Sequence, residues 1–320
     1  MENKRIYKWD NLKFVLITLV VVGHFVDAYN DSKCFKSIFL FIYAFHMPLF
    51  LFVSGLFHKN ENIMKKIFVY FSIGYLYKMI LYSVSHLIGG SWRFSLLTEP
   101  AVPWYMFALA AFVGITYLLR NINPLLVLVM SVLIACFVGY DNSVKDFLVL
   151  SRIVVFFPCY YLGTMVKEEK LRKWSEKKIF IVVGLCVLMI WAVVCISHIE
   201  DVYILRHLFV GRNPFKARIK DIGCFLRLLC YALSIVLGLS VILIIPDRKL
   251  PFVSYIGRHT MQIYFWHRTA LMLIMKTGLV NILCSTAKGK FLYLLIAIFM
   301  TFLLSLKIFE FPTSTIMKKV

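Results

Sequence analysis

The segment WDNLKFVLITLVVVGHFVDA, residues Trp9 to Ala28, decides the fold because it is apolar and long enough to cross a bilayer as one helix. It also carries Asp10, Lys13 and His24, three polar groups that a simple membrane anchor does not need. At about 100° per residue, Lys13 and His24 lie within about 20° of each other around the helix, and Asp10 lies about 40° away. One face of the helix therefore carries all three groups.

The distance between these groups suggests a use for that face. A rise of about 1.5 Å per residue separates Lys13 from His24 by about 16 Å, which is half the thickness of the hydrocarbon core. This layout suits a long ligand whose charged end stays at the membrane surface, and ionisable groups at membrane depth favour a functional hypothesis. A structural alternative is open, because Lys13 can snorkel to the interface and a single buried histidine can simply pack.

The composition predicts an all-α, polytopic membrane protein. The 320 residues are 61% hydrophobic and only 16% charged, and their mean hydropathy is +0.81. Ten apolar runs are long enough to span a bilayer, at about 11–28, 37–57, 64–88, 101–119, 123–140, 147–166, 178–197, 222–245, 260–280 and 290–309. They predict a bundle of ten transmembrane helices that forms one membrane domain over residues 1–320.

The formal net charge of +20 is assigned to the loops. No soluble basic domain is predicted, so nucleic acid is not an expected partner, and anionic lipid headgroups are. Placing the N-terminus inside puts most loop lysines and arginines in the cytoplasm, which predicts an N-in, C-in protein. The predicted external loop 198–220 opposes this trend with Arg206, Arg212, Lys216, Arg218 and Lys220. That loop is either an exception or a site for an anionic substrate.

Two further features are expected to be absent. The first apolar run lacks a small-residue cleavage site and continues into Asp27, so no cleavable signal peptide is expected. The eight cysteines lie mostly inside apolar runs and form no CxxC pair, so they are predicted to be core residues. No metal site is expected.

The second predicted span, FLFIYAFHMPLFLFVSG, contains His46 followed by Pro48. Proline frees a backbone carbonyl one turn earlier and often kinks a membrane helix. His46 lies about ten residues from the outer end of this span, at a depth similar to that of His24. Two imidazoles at similar depth on consecutive spans form a candidate site, although His46 could instead only bond a neighbouring helix.

Five stretches of the chain resemble a known family, in order and over nearly its whole length. They are DNLKFVLITLVVVGH, FHMPLFLFVSG, PWYMFALA, SRIVVFFPCYYLG and IGRHTMQIYFWH, and they are similar to the membrane acyltransferase-3 family, above all its fucose 4-O-acetylase-like branch. The resemblance implies a ten-helix bundle that transfers acyl groups, usually acetyl from cytoplasmic acetyl-CoA, to hydroxyls of cell-surface sugars. The family hallmark is an arginine, ten residues and a histidine. This chain has Lys13 and His24 there, and lysine supplies charge without a two-pronged contact.

Acyl transfer to a hydroxyl requires a base, and a neutral imidazole suits that task. We assign His24 as general base, with Asp27 one turn further on either orienting its ring or simply solvated at the helix end. The resemblance also implies a role for His46, our candidate donor to the tetrahedral intermediate, with Arg152 or Tyr160 as further candidates. Direct transfer is the simpler mechanism, and an acyl-histidine intermediate is the alternative.

The remaining candidate residues are assigned to the two expected ligands, coenzyme A and the acceptor. Coenzyme A carries phosphates, so its binding residues are predicted to be Lys13 with Asp10, and Arg258 and His259, although these could be ordinary interfacial charges. Acceptor-binding candidates are Arg152, Tyr160, Trp104 and His267, of which Trp104 equally fits an interfacial aromatic belt.

The sequence thus predicts a plasma-membrane O-acetyltransferase. It would use acetyl-CoA as a donor substrate, not as a permanently bound cofactor, and would modify a surface glycan or its lipid-linked precursor. The alternative is a transporter or flippase, which predicts inverted repeats, and the two halves of the chain share no obvious pattern.

Overall fold

The structure, a computed structural model, describes residues 6–317, which fold into α-helices, four short 3₁₀ segments and one isolated β-bridge between Thr98 and Phe147. The helices are α1 (Tyr7–Ala28), α2 (Lys33–Tyr43), α3 (His46–Leu56), α4 (Ile63–Leu87), α5 (Trp104–Leu118), α6 (Pro124–Phe137), α7 (Leu150–Met165), α8 (Glu168–Ser175), α9 (Lys178–Ser197), α10 (Ile199–Val202), α11 (Arg206–Phe209), α12 (Gly223–Ile244), α13 (Pro251–Arg258), α14 (Thr260–Lys276), α15 (Leu279–Cys284), α16 (Ala287–Leu303) and α17 (Thr313–Met317).

Within residues 6–317, five helical segments are long and apolar enough to cross a membrane. They are Tyr7–Ala28, Lys33–Leu56, Ile63–Leu87, Lys178–Ser197 and Gly223–Ile244, and three shorter apolar helices accompany them, Trp104–Leu118, Pro124–Tyr140 and Leu150–Met165. These segments and the all-helical architecture define an α-helical membrane protein. The count of ten spans and the N-in, C-in orientation stay predictions.

Helix α1 occupies the centre of the bundle, where it packs against α2, α3, α13, α14 and α16. Polar side chains fix its first turns to the end of α12. Lys8 Nζ donates hydrogen bonds to the carbonyls of Ile242 and Ile245, each at 2.5 Å. The Asn11 side-chain amide donates to the carbonyl of Pro246 at 3.0 Å. These donors satisfy carbonyls that the end of α12 leaves without helical partners, and the Lys8 charge complements the helix dipole.

Two glycines allow helices to approach at backbone distance. A Cβ on Gly257 of α13 would lie 1.8 Å from the carbonyl oxygen of Asp10 in α1. A Cβ on Gly55 of α3 would lie 1.9 Å from the carbonyl oxygen of Tyr160 in α7. Small residues at such crossings are how membrane helices gain close packing. The first contact holds α13 against the N-terminal half of α1, and the second joins α3 to α7.

The second predicted span is two helices, α2 and α3, separated at Ala44 and Phe45. Pro48 lies in the first turn of α3 and has no N–H to offer the carbonyl four residues earlier, which is that of Ala44. The hydroxyl of Ser234 in α12 donates to this carbonyl instead, at 2.5 Å. The break therefore costs no unpaired carbonyl, and it places His46 at the first position of α3.

Candidate active site

Two of the cavities in the described part of the chain are lined by α1. The larger, which we name the basic chamber, has a volume of about 680 Å³. Its wall includes His24, Asp27, Tyr43, His46, Arg93, Trp104, Arg152, Arg206, His207, Arg212 and Arg268. Helices α1, α2, α3, α4, α5, α7, α11 and α14 all contribute, together with the connection from α4 to α5.

The smaller cavity, the narrow chamber, has a volume of about 180 Å³. Lys13, Ile17, Val20 and His24 line it at spacings of three and four residues, which is one face of α1. The opposite wall comes from α3, α5 and α14, and it includes Ser54, Tyr105, Thr260, Met261 and Tyr264. The narrow chamber therefore runs along α1 from the lysine to the histidine, over the interval of about 16 Å given by helix geometry.

The two chambers share four lining residues: His24, Met47, Val102 and Trp104. A ligand group in either chamber can therefore approach the same imidazole. Trp104 lies at this junction and packs its ring against Phe156, with centroids 5.4 Å apart. Its placement favours contact with a ligand over a position in a lipid-facing belt.

His24 has a second imidazole behind it. The ring centroids of His24 and His267 are 5.1 Å apart, and His267 is buried. His267 Nδ1 lies 2.7 Å from the carbonyl oxygen of Tyr264, and since a carbonyl can only accept, Nδ1 carries the proton. Its Nε2 has no hydrogen-bond partner within the described chain. His267 thus supports the His24 ring from the core and does not line either chamber.

His46 has the same tautomer. Its Nδ1 lies 2.9 Å from the carbonyl oxygen of Ile42, so this nitrogen donates, and the ring of Tyr43 packs edge-on at 4.5 Å. A neutral His46 therefore has an unprotonated Nε2, which can accept a hydrogen bond but cannot donate one. The geometry suits His46 for holding an acceptor hydroxyl better than for stabilising an oxyanion.

Asp27 forms an ion pair with Arg206, and both side chains are partly exposed on the wall of the basic chamber. Among the described residues no hydrogen bond joins Asp27 to His24. The carboxylate therefore holds Arg206 in place, which differs from the expectation that it orients the imidazole. Arg206 also lies over the ring of Phe39, at 4.6 Å from the centroid.

The connection between α4 and α5 covers part of the basic chamber and is held by buried charges. Arg152, 3% exposed, donates to the carbonyls of Glu99 at 3.3 Å and Pro100 at 3.1 Å. The Glu99 carboxylate accepts from the backbone N–H of Ala101 at 2.8 Å and lies 3.3 Å from Lys78 Nζ. Burial raises the pKa of Glu99, and the Lys78 charge opposes this rise.

We expect Lys78→Met to destabilise the protein by about 3–5 kcal/mol, because the substitution leaves the Glu99 carboxylate buried without its partner. The exposed fractions of the two side chains are 1% and 2%, so water cannot replace the lysine. Thermal unfolding of the purified protein in detergent measures the effect. The double variant Lys78→Met/Glu99→Gln removes both charges and should recover part of the loss. A double variant no more stable than Lys78→Met would contradict this account.

Five of the sequence-predicted residues line neither chamber: Asp10, Tyr160, Arg258, His259 and His267. Tyr160 is buried, and its hydroxyl bonds His58 Nδ1 at 2.8 Å. Arg258 and His259 bond the carbonyls of the preceding turn of α13, those of Ser254 at 3.3 Å and Tyr255 at 2.7 Å. Arg258 and His259 directly precede Thr260 in the sequence, and Thr260 lines the narrow chamber.

The candidate coenzyme residue Lys13 does reach a chamber. Its ammonium lies 3.1 Å from the carboxylate of Asp10, and about a third of the lysine side chain is exposed. No group of three or more His, Cys, Asp or Glu side chains in residues 6–317 could hold a metal ion.

Sequence reasoning missed several lining residues, among them Tyr43, Ser54, Arg93 and His207. One signal was available, the surplus of basic residues in segment 198–220, which supplies Arg206, His207 and Arg212 to the basic chamber. The aromatic and serine residues carried no comparable signal.

These features define a helical membrane protein in which two cavities share an imidazole, that of His24, in their lining. The chain belongs to the acyltransferase-3 family, described as an acyltransferase domain, which matches residues 6–310. This match confirms the resemblance found in the sequence. The nodulation protein NolL of Mesorhizobium japonicum is 44% identical over 61 residues, a stretch that covers 17% of this chain and 15% of NolL. No solved structure matches the chain.

Proposed function

We propose that this protein is a plasma-membrane O-acyltransferase that moves an acetyl group from acetyl-CoA to a hydroxyl of a cell-surface polysaccharide or its lipid-linked precursor. The observation that carries the proposal is the meeting of two separate chambers at His24. Family membership and the local likeness to a nodulation protein support it.

The two chambers give the two substrates separate routes to one base. The narrow chamber suits the thin arm that carries the thioester, with Lys13 at its far end near the phosphates. Arg258 and His259, next in the chain to Thr260, would add cationic groups there. The basic chamber would hold the acceptor. With the N-terminus in the cytoplasm, the narrow chamber opens toward cytoplasmic acetyl-CoA and the basic chamber toward the outer face.

The proposed acyl transfer needs one group, where the two chambers meet, that takes up a proton and then releases it. As the acceptor oxygen attacks the thioester carbon, His24 takes the hydroxyl proton, and a tetrahedral intermediate forms. When the carbon–sulfur bond breaks, the protonated His24 returns the proton to the departing sulfur of coenzyme A. His46 Nε2 would accept a hydrogen bond from the acceptor. Arg152 lines the basic chamber, and its N–H groups would donate to the oxygen on which negative charge develops.

Coenzyme A is expected to raise the melting temperature of the purified protein, and Lys13→Glu should abolish most of that rise. At 100 times its dissociation constant a ligand stabilises the folded state by about 2.7 kcal/mol. The carboxylate introduced by Lys13→Glu would repel the phosphates of the coenzyme, whereas Lys13→Arg restores a group capable of two-pronged binding and should keep or increase the stabilisation.

The matched control for this charge reversal is Lys59→Glu, because Lys59 is exposed and lines neither chamber. The quantity compared is the increment caused by coenzyme A, so a general loss of stability in any variant does not affect the result. A transporter or scaffold has no reason to respond to coenzyme A. A wild-type protein whose melting temperature ignores it would contradict the proposal.

A further inference from the structure

The charged side chains that line the basic chamber are almost all positive. Its charged lining residues are five arginines and one aspartate: Arg93, Arg152, Arg206, Arg212, Arg268 and Asp27. Within residues 6–317, Arg206 is the one arginine of this set with a carboxylate within 4 Å, that of Asp27. Four guanidinium groups therefore face or border the cavity without a neutralising carboxylate.

Three of these guanidinium groups, those of Arg152, Arg212 and Arg268, contact neutral groups. Arg152 donates to two carbonyls and keeps its Nε without a partner. Arg212 donates to the carbonyl of Pro100 at 3.0 Å. Arg268 lies over the ring of Trp92, at 5.9 Å from the centroid. Charges of one sign that gather around one cavity repel each other, so their convergence favours an anionic ligand.

The pKa of His207 is shifted by positive charges of the same region. Burial lowers its pKa to about 4, and the positive charges of Lys216, Arg206 and Arg212 add to that effect. The imidazole therefore stays neutral at physiological pH. It lies on the wall of the basic chamber, so the chamber suppresses further positive charge at this point.

The hydrogen-bonding character of the chamber argues against a neutral sugar. Sugar hydroxyls donate as well as accept, but guanidinium groups only donate. His46 Nε2 can accept from one hydroxyl, but the carboxylate of Asp27 is already paired with Arg206. Carboxylates and phosphates, in contrast, only accept, and arginine matches both with two parallel hydrogen bonds.

We propose that the acceptor carries its own negative charge, a carboxylate of an acidic sugar or the phosphate of a lipid-linked sugar. Guanidinium groups of the basic chamber hold this anion while a neutral hydroxyl of the same molecule faces His24. The inference rests on the proposed function for the meaning of "acceptor", but the binding preference itself can be measured without any acyl donor.

The test compares three probes that share a glucose ring: methyl β-D-glucuronide, glucose 1-phosphate and neutral methyl β-D-glucoside. Each is titrated against the purified protein at low ionic strength, without acetyl-CoA, and the melting temperature is recorded. At least one anion should stabilise the protein at a concentration tenfold or more below that needed for the glucoside. Preference for the glucuronide indicates an acidic sugar, and preference for the phosphate indicates a lipid-linked one.

Arg212→Gln and Arg268→Gln locate the binding. Each should weaken stabilisation by the preferred anion tenfold or more, while Arg120→Gln, an exposed arginine that lines neither chamber, should not change it. Equal responses to the three probes, or none, overturn the inference. So does loss of stabilisation by coenzyme A in Arg212→Gln, which would assign the chamber to the donor. A protein that prefers the anion but ignores coenzyme A would instead contradict the proposed function alone.

Discussion

Replacing His24 with alanine is expected to lower the rate of acetyl transfer by about 10²–10⁴-fold, the contribution of a positioned general base. His24 lines both chambers, so in the proposed mechanism it takes a proton from the acceptor in one and returns it to the coenzyme in the other. Membranes of the source cells, with the gene replaced by each variant, supply the native acceptor whatever its structure. Transfer of radiolabelled acetyl from acetyl-CoA to envelope glycans then gives the rate.

The loss in His24→Ala must come from chemistry and not from unfolding. Stabilisation by coenzyme A should persist in this variant, because Lys13 and the rest of the narrow chamber are unchanged. His86→Ala is the matched control, since His86 is an exposed histidine near the end of α4 and lines neither chamber. It should retain activity within about twofold. If His24→Ala were nearly as active as wild type and His46→Ala inactive, the base would be His46.

The role of α1 could be predicted from the sequence because helical spacing is a local property. Lys13 and His24 are eleven residues apart in one uninterrupted helix, so their common face follows from about 100° per residue. The structure places a chamber along that face. The same reasoning could not resolve the second span into two helices. The partner of the carbonyl that Pro48 frees is Ser234, 190 residues away from Ala44 in the chain, and no local pattern identifies it.

The basic chamber illustrates what sequence patterns cannot supply. The surplus of basic residues in segment 198–220 is visible in the sequence, and it conflicts with the positive-inside rule if the protein has the predicted N-in orientation. Its convergence with Arg268 of α14 and Arg93 of the α4–α5 connection depends on tertiary packing. Tyr160, in contrast, is a residue that the sequence assigned to the site and that the packing turns away from it. It lies eight residues after Arg152 on α7, about 80° further around the helix, and that rotation takes its hydroxyl to His58 and away from the cavity.

Filling the narrow chamber is expected to have the second largest effect on activity. Ser54 lines this chamber and does not line the basic one; its hydroxyl donates to the carbonyl of Phe50 at 3.0 Å and lies 3.2 Å from the hydroxyl of Tyr105. In Ser54→Phe a phenyl ring would occupy much of a cavity of about 180 Å³. Because a displacement of about 1 Å at a reacting centre can cost about 10²-fold, we expect transfer to fall by that amount and the KM for acetyl-CoA to rise.

The effects of substitutions in the two chambers on activity and on the KM for acetyl-CoA identify the chamber that binds the donor. Ser54→Ala removes the same hydroxyl but leaves the space open, so it should stay within about twofold of wild type and separate steric block from the lost hydrogen bond. Stabilisation of Ser54→Phe by the preferred anionic glucose probe should be unchanged, because the basic chamber keeps its arginines. If acetyl-CoA instead entered through the basic chamber, Ser54→Phe would leave its KM unaltered and Arg212→Gln would raise it. The two substrates would then have exchanged places around His24.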